Sequence, residues 1–257
     1  MLLLSTSSLK WYWIHKIFDI AKKSNYDWID LVIDDKNFDT LDVNYLKSLQ
    51  DTFWVYVLSI TAPDRWLTKS LIDQIVLIAE TLKSQVINFY PPNIIDKNSE
   101  WYNEYINNIK KEKRISVAIQ NVEQRFKYFI LPEYKNSNLL ELKKITWDTA
   151  LNIENLDKQA WLDLWKLQTS LWNTVKNVFL SDKNGSKDGL LPGSAGWWMS
   201  FLPLESFLMK LKTLWYDSFI TLRVKPKSLQ AWLEEAVLFN LEQAKKYYEK
   251  HFLNYKE

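Results

Sequence analysis

The chain has 257 residues, which is long for one ordinary domain, and its 47% hydrophobic and 25% charged residues are typical of a globular protein with a large core. Its net charge of +2, from 33 basic and 31 acidic residues, gives no reason to expect a nucleic-acid or membrane-surface partner. The absence of cysteine excludes disulfides, thiolate metal sites and cysteine nucleophiles.

Targeting signals are not recognisable in the sequence. The apolar start at residues 1–4 is followed at once by Ser5 and Thr6, and it lacks the basic segment and longer apolar core of a signal peptide. No apolar stretch reaches the roughly 18 residues that suggest a membrane span. We therefore expect a cytoplasmic location and no membrane partner.

Eight β-rich apolar runs alternate with helical patterns along the chain. The predicted strands are 2–6, 28–34, 55–61, 85–91, 114–121, 145–151, 175–182 and 218–225. A clear helical stripe contains Ile72, Ile75 and Ala79, and the last predicted helix covers about 231–252. This alternation predicts a parallel sheet, and eight such units can close into a (β/α)8 TIM barrel formed by one domain over residues 1–257.

A doubly wound open sheet is the alternative architecture. It would more often have about six strands and a glycine-rich phosphate loop after the first, and the sequence contains neither GxGxxG nor GxxxxGK[ST]. In a barrel, the long irregular stretches 184–203 and 122–138 lie at the carboxyl-terminal ends of the strands, where active sites form.

The tryptophan and glycine contents are both unusual. The chain has 14 tryptophans and 4 glycines, whereas an average composition predicts about 18 glycines. Trp28, Trp54 and Trp215 lie at predicted turns or helix ends, and Trp197 and Trp198 continue a glycine-containing loop. Such positions often need a positive φ and favour glycine. We hypothesise that many of these tryptophans are UGA codons read as glycine in the cell; the alternative is a chain that uses indoles as core filler or sugar-stacking platforms.

Several segments, in order along nearly the whole chain, resemble one known family. They are 17–22 with 26–32, 58–63, 90–92, 180–182, 191–193 with 202–204, and 220–222 with 226–227. Together they resemble the xylose-isomerase-like barrels, which include sugar isomerases, sugar-phosphate epimerases and related AP endonucleases.

The resemblance implies a divalent metal (Mn, Mg or Zn) held by residues at the ends of strands five to eight, but most of those ligands are replaced here. Gln120 and Arg223 stand where the family has glutamates, Phe179 stands where it has a histidine, and Asp148 is retained. The histidines that often end strands three and four are replaced by Thr61 and Tyr90. The two histidines of the chain, His15 and His251, are expected to be surface or helix-cap residues.

Arg223 is the decisive replacement, because a guanidinium is always charged and repels a dication. We expect it to occupy the former metal position and to pair with Asp148, since an unpaired buried charge is costly. The site is therefore expected to hold no metal cofactor.

Three functions remain open at this point. The first is a barrel that binds a small sugar or sugar phosphate after losing metal catalysis, with a pocket lined by Gln120, Tyr90, Asn177, Asp182, Arg223 and Lys225. The second is a metal-independent isomerase or epimerase with Asp148 or Asp30 as base. The third is an inactive structural or partner-binding barrel; a DNA-repair nuclease is disfavoured, because it would need more metal ligands and a basic groove.

Overall fold

The computed structural model describes residues 1–94, 101–113, 115–123, 126–127, 130–135, 148–156, 174–185, 187–195 and 203–255. Eight parallel strands close into a barrel in the order β1-β2-β3-β4-β5-β8-β9-β12, with β12 pairing back onto β1. Their bounds are β1 Leu2–Ser5, β2 Trp28–Val32, β3 Tyr56–Thr61, β4 Val86–Phe89, β5 Ser116–Gln120, β8 Thr149–Asn152, β9 Val175–Leu180 and β12 Phe219–Leu222. The predicted (β/α)8 fold is confirmed.

Six α-helices flank the strands in the described residues. They are α1 Ile14–Lys23, α2 Val43–Phe53, α3 Lys69–Leu82, α4 Tyr102–Glu112, α5 Leu204–Thr213 and α6 Glu234–Tyr248, and α6 continues into a π-helical turn, Glu249–Leu253. Side-chain caps define where two of them begin: Asp42 accepts hydrogen bonds from the amides of Asn44 and Tyr45, and Thr68 accepts one from the amide of Leu71. The helical stretches expected after the fifth and sixth barrel strands fall outside the described residues.

The two predicted irregular stretches contain short hairpins. After β5, strand β6 Phe126–Lys127 pairs with β7 Leu131–Pro132, and after β9, strand β10 Asp182–Asn184 pairs with β11 Lys187–Leu190. The expectation of wholly irregular loops was therefore wrong. Gly189 in β11 has φ +65°, and a Cβ there would meet Lys225 Cγ at 2.6 Å, so this hairpin needs a glycine where it packs against the loop after β12.

Apolar residues fill two separate layers. The larger core lies between the strands and the helices, because every second strand residue points outward onto the apolar helix stripes. A smaller cluster fills the barrel interior and is formed by Leu3, Val86, Ala118, Ala150, Phe179 and Phe219. In the described part of the chain, no helix combines the length and apolar character needed to cross a bilayer.

Among the described residues, three tryptophans adopt a left-handed backbone. Trp54 ends α2 with φ 57°, Trp66 has φ 59° in the loop after β3, and Trp215 follows α5 with φ 57°. Their side chains are 67%, 69% and 90% exposed. Trp28, by contrast, lies in strand β2, so its expected turn position was wrong. Trp197 and Trp198 lie outside the described residues.

Candidate functional site at the carboxyl-terminal face

A cavity of about 290 Å³ opens at the carboxyl-terminal ends of the first four strands. It is lined by residues that follow β1, β2, β3 and β4, where a barrel places its functional loops. Its polar lining includes Thr6, Ser7, Lys10, Tyr12, Asp34, Asp35, Asn37, Thr40, Asp64 and Tyr90. Hydroxyls, carboxylates and one ammonium group together suit a ligand with many hydroxyls.

The loop after β2 holds the carboxylates of this cavity in place. Asp34 Oδ1 accepts a hydrogen bond from the amide of Lys36 at 3.0 Å, and the Asp34 amide donates to Thr40 Oγ1 at 3.1 Å. Asp35 is exposed beside it. Sequence reasoning missed Asp34, Asp35 and Asp64, although their positions directly after the second and third apolar strands were a usable signal.

Arg223 lies just beyond β12 and donates to two neighbours. Its Nη1 donates to Gln120 Oε1 at 3.0 Å, and its Nη2 donates to the Tyr90 hydroxyl at 2.8 Å. The guanidinium also stacks over the Phe179 ring, with its Cζ 4.5 Å from the ring centroid. Burial alone would lower the pKa of Arg223, but Tyr90 and the nearby carboxylates of Asp30 and Glu154 outweigh it and raise that pKa.

The predicted pairing of Arg223 with Asp148 was wrong. Asp148 precedes β8, so it lies at the amino-terminal end of that strand, and its Oδ2 is 2.7 Å from Lys110 Nζ near the end of α4. Arg223 instead contacts Gln120 and Phe179, near the carboxyl-terminal ends of β5 and β9. The two groups are separated along the barrel, so Asp148 has no place in this site as a base.

Asp30 lies in a polar layer inside the barrel. Its oxygens accept hydrogen bonds from Ser5 Oγ at 3.0 Å, from Ser59 Oγ at 2.7 Å and from Thr61 Oγ1 at 2.9 and 3.1 Å. Asp30 has no exposed surface, and a base must reach the proton that it removes. Its burial and its occupied oxygens do not favour the expected role of Asp30 as base; its hydrogen bonds indicate a structural role.

Asn177 belongs to the same interior layer. Its Oδ1 accepts from Thr221 Oγ1 at 2.8 Å and its Nδ2 lies 3.4 Å from Ser59 Oγ, which also accepts from Asn88 Nδ2 at 2.7 Å. Asn177 is fully buried. It therefore supports the site from below and does not line it, contrary to our expectation.

Asp182 and Lys225 also differ from their predicted roles as pocket residues. Asp182 is buried, and its Oδ2 accepts from the amides of Gly193 and Ala195, both at 3.2 Å, so it fixes the loop after β11. Lys225 is exposed and forms an ion pair with Asp188 in β11. Of the predicted substrate-binding residues, Tyr90 lines the cavity, and Gln120 and Arg223 adjoin it through Tyr90.

Two further carboxylates stabilise loops at this face, and sequence reasoning missed both. Glu154 Oε2 accepts from Ser181 Oγ at 2.9 Å and from the Gly189 amide at 2.7 Å, joining the loops after β8 and β9. Glu133, only 3% exposed, pairs with Arg65 and joins the loops after β5 and β3. Neither carboxylate follows a recognisable sequence motif.

His251 was expected to be a surface or helix-cap residue; it does lie at a helix end, but it is buried and not at the surface. It is 4% exposed, lies in the π-helical turn after α6, and stacks on Tyr247 with 4.6 Å between ring centroids. Burial lowers its pKa below the ordinary value of 6.5. His15 is exposed near the start of α1.

The residues at the ends of β5, β9 and β12 do not fit a divalent metal. The oxygen of Gln120 already accepts a hydrogen bond from Arg223, Phe179 offers no ligand atom, and the guanidinium itself would repel a dication. Among the described residues, no group of three carboxylate or imidazole side chains is placed to hold a metal ion.

The molecule is therefore a closed (β/α)8 barrel with a cavity at its carboxyl-terminal face. Solved structures that share this fold include xylose-isomerase-like and epimerase-like barrels. A D-tagatose 3-epimerase-like protein superposes with a TM-score of 0.67 at 20% identity over 97% of each chain. The IOLI protein, solved with a bound zinc atom, gives 0.71 at 14% identity over 98% of this chain and 99% of its own.

A xylose isomerase domain protein from Alicyclobacillus acidocaldarius subsp. acidocaldarius gives a TM-score of 0.66 at 14% identity, over 96% of this chain and 98% of that one. No family model and no curated protein matches the sequence. The resemblance noted in the sequence is thus confirmed for the fold.

Proposed function

We propose that this barrel binds a small sugar or sugar phosphate at its carboxyl-terminal face and that it does so without a divalent metal. The main support is the position of Arg223, which donates hydrogen bonds to Gln120 and Tyr90 and stacks on Phe179. By the family resemblance, Gln120, Phe179 and Arg223 are three of the four metal-ligand positions. A guanidinium among them supports the loss of the family's metal chemistry.

The cavity supports small-molecule binding over a purely structural role. A barrel whose top is packed closed would leave no such opening, whereas this one has about 290 Å³ lined by carboxylates and hydroxyls. A metal-independent isomerase finds less support, because Asp30 is shielded by hydroxyls and Asp148 pairs with Lys110.

Calorimetric titration with D-xylose, D-tagatose and D-glucose 6-phosphate tests this proposal. At least one of them is expected to bind with the same affinity in EDTA as in Mn²⁺. Replacing Asp35 by Asn removes a charged acceptor at the cavity and is expected to weaken that binding about tenfold. The matched variant Asp51→Asn, on the exposed side of α2, is expected to leave it unchanged. Binding that appears only with added metal would overturn the proposal, and so would the absence of binding by all three.

A further inference from the structure

The groups around Arg223 offer an excess of hydrogen-bond donors. A guanidinium has five N–H groups, and in the described part of the chain Arg223 uses only the two that reach Gln120 and Tyr90. The Nε2 of Gln120 is buried and donates to no described group. The Tyr90 hydroxyl accepts from Arg223, so its own proton remains available to donate. Such a site lacks an acceptor, and an anion supplies one.

The buried Gln120 amide gives independent support for a ligand acceptor at this position. Gln120 is 1% exposed, and a buried amide nitrogen without a partner typically costs about 1–3 kcal/mol. Its Oε1 is fixed by the bond from Arg223, so the amide cannot flip without breaking that bond. A ligand oxygen bound beside the guanidinium would satisfy this nitrogen and the free N–H groups of Arg223 together.

The surrounding charges favour a singly charged ligand. Among the described residues, no carboxylate lies within ion-pair distance of Arg223, but Asp30 and Glu154 act on it from farther away. The oxygens of Asp30 are occupied by hydroxyls, and Glu154 Oε2 by Ser181 and Gly189. One guanidinium that is already acted on by two fixed negative charges neutralises a carboxylate better than a phosphate dianion.

We propose that Arg223, Gln120 and Tyr90 form a carboxylate-binding subsite, so that the sugar bound by this barrel is a small sugar acid. The carboxylate would bind the planar guanidinium bidentately. The ligand's hydroxyls would lie in the adjoining cavity, whose wall includes Tyr90, Asp34 and Asp35. This inference rests on the proposed function, because it assigns the chemical class of the ligand in the same site.

Side-chain NMR of the arginines tests the subsite directly, since the chain has only four arginines and therefore few Nε–H signals. The protein is titrated with D-glycerate, glycerol and glycerol 3-phosphate. These three compounds share a three-carbon backbone, and one end of it carries a carboxylate, a neutral hydroxyl or a phosphate, respectively. D-Glycerate is expected to shift the Arg223 Nε–H signal saturably, with an affinity at least about tenfold higher than that of the other two. The signal is assigned by its loss in Arg223→Gln.

Two variants separate the subsite from general charge effects and from misfolding. Gln120→Glu gives Arg223 an internal carboxylate and is expected to abolish the glycerate response while the protein stays folded. Lys246→Gln, which removes one positive charge from the exposed side of α6, is expected to leave the response intact. Thermal unfolding of each variant confirms that it is folded.

The remaining outcomes each decide the question. Equal or tighter binding of glycerol 3-phosphate would overturn the preference for a carboxylate. An Arg223 signal that responds to none of the three would overturn the subsite. If D-xylose or D-tagatose nevertheless binds in the calorimetric titration, the proposed function survives that failure; if nothing binds in either experiment, both fail.

Discussion

Asp30 joins three strands of the barrel through hydrogen bonds in its interior. Its carboxylate accepts hydrogen bonds from Ser5, Ser59 and Thr61 and has no exposed surface. Replacing it with Asn would leave hydroxyl donors facing an amide nitrogen that cannot accept. We expect a loss of about 2–4 kcal/mol in the free energy of unfolding, measured with urea. Asp51→Asn, which is exposed on α2, is expected to change it by less than about 0.5 kcal/mol.

The buried His251 is expected to make the free energy of unfolding depend on pH. Burial lowers its pKa below the ordinary value of 6.5, against the opposing effect of Glu205 and with that of Lys250. The unfolded chain therefore takes up this proton at a higher pH than the folded chain does. Stability should fall as pH drops below about 6.5 and stop falling below the folded-state pKa.

Urea unfolding at several pH values measures this slope. The variant His251→Phe keeps a ring against Tyr247 and removes the titrating group, so it should flatten the slope below about pH 6.5. The variant His15→Gln, at the exposed start of α1, should keep it. A slope that persists in His251→Phe would assign the acid sensitivity to other groups.

Among the helices and strands, the end of α2 tests whether Trp54 occupies a position that favours glycine. Trp54 has φ 57°, a conformation that costs a side-chain-bearing residue about 1–2 kcal/mol, and its indole is mostly exposed. Trp54→Gly should raise the free energy of unfolding by about 1 kcal/mol. Trp54→Ala also removes the indole but keeps the Cβ, so it should gain much less. Equal effects of the two variants would show that the backbone conformation is unstrained.

Trp215 after α5 is a second tryptophan with the same backbone conformation, with φ 57° and 90% exposure. These conformations are what the hypothesis of UGA read as glycine requires, and sequencing the gene decides it. UGA codons at Trp54, Trp66 and Trp215 are expected, and UGG codons there would refute the hypothesis. Trp101, which packs edge-on against Tyr105 at the start of α4, is expected to be encoded by UGG.

The sequence predicted the strands and helices well, but it predicted poorly how far along the barrel axis individual residues lie. Every barrel strand overlaps a predicted apolar β-rich run, because burial on both faces leaves a continuous signal. The position of Asp148 at the amino-terminal end of β8 depends on where that strand begins, which the apolar run alone does not fix. The pairing of Gln120 with Arg223 joins residues 103 apart, and it follows from barrel closure and not from local pattern.

At the scale of the whole molecule, an ion cluster joins the first and last helices. Lys16 Nζ lies 2.8 Å from both Asp19 of α1 and Glu234 of α6. A hydrogen bond from Lys16 and one from Lys23 lower the pKa of Glu234. The stabilisation from Glu234 is therefore present above the ordinary carboxyl pKa and is lost as the pH falls through the lowered one.

A double-mutant cycle with Lys16→Gln and Glu234→Gln measures this link. These side chains are 27% and 35% exposed, so solvent screens the pair, and the coupling energy should be only about 0.5 kcal/mol at low salt. In 1 M NaCl it should fall towards zero. A coupling well above about 1 kcal/mol, or one insensitive to salt, would contradict this account.

We propose that the Arg223 guanidinium stands among the positions where, by the family resemblance, xylose-isomerase-like barrels hold a dication. A crystal soaked in Mn²⁺ and measured for anomalous scattering tests it most directly. We expect no manganese peak near Gln120, and we expect the Arg223 guanidinium to stay in contact with Gln120 and Tyr90. An ordered manganese about 2.2 Å from Gln120 Oε1, with Arg223 displaced, would contradict it.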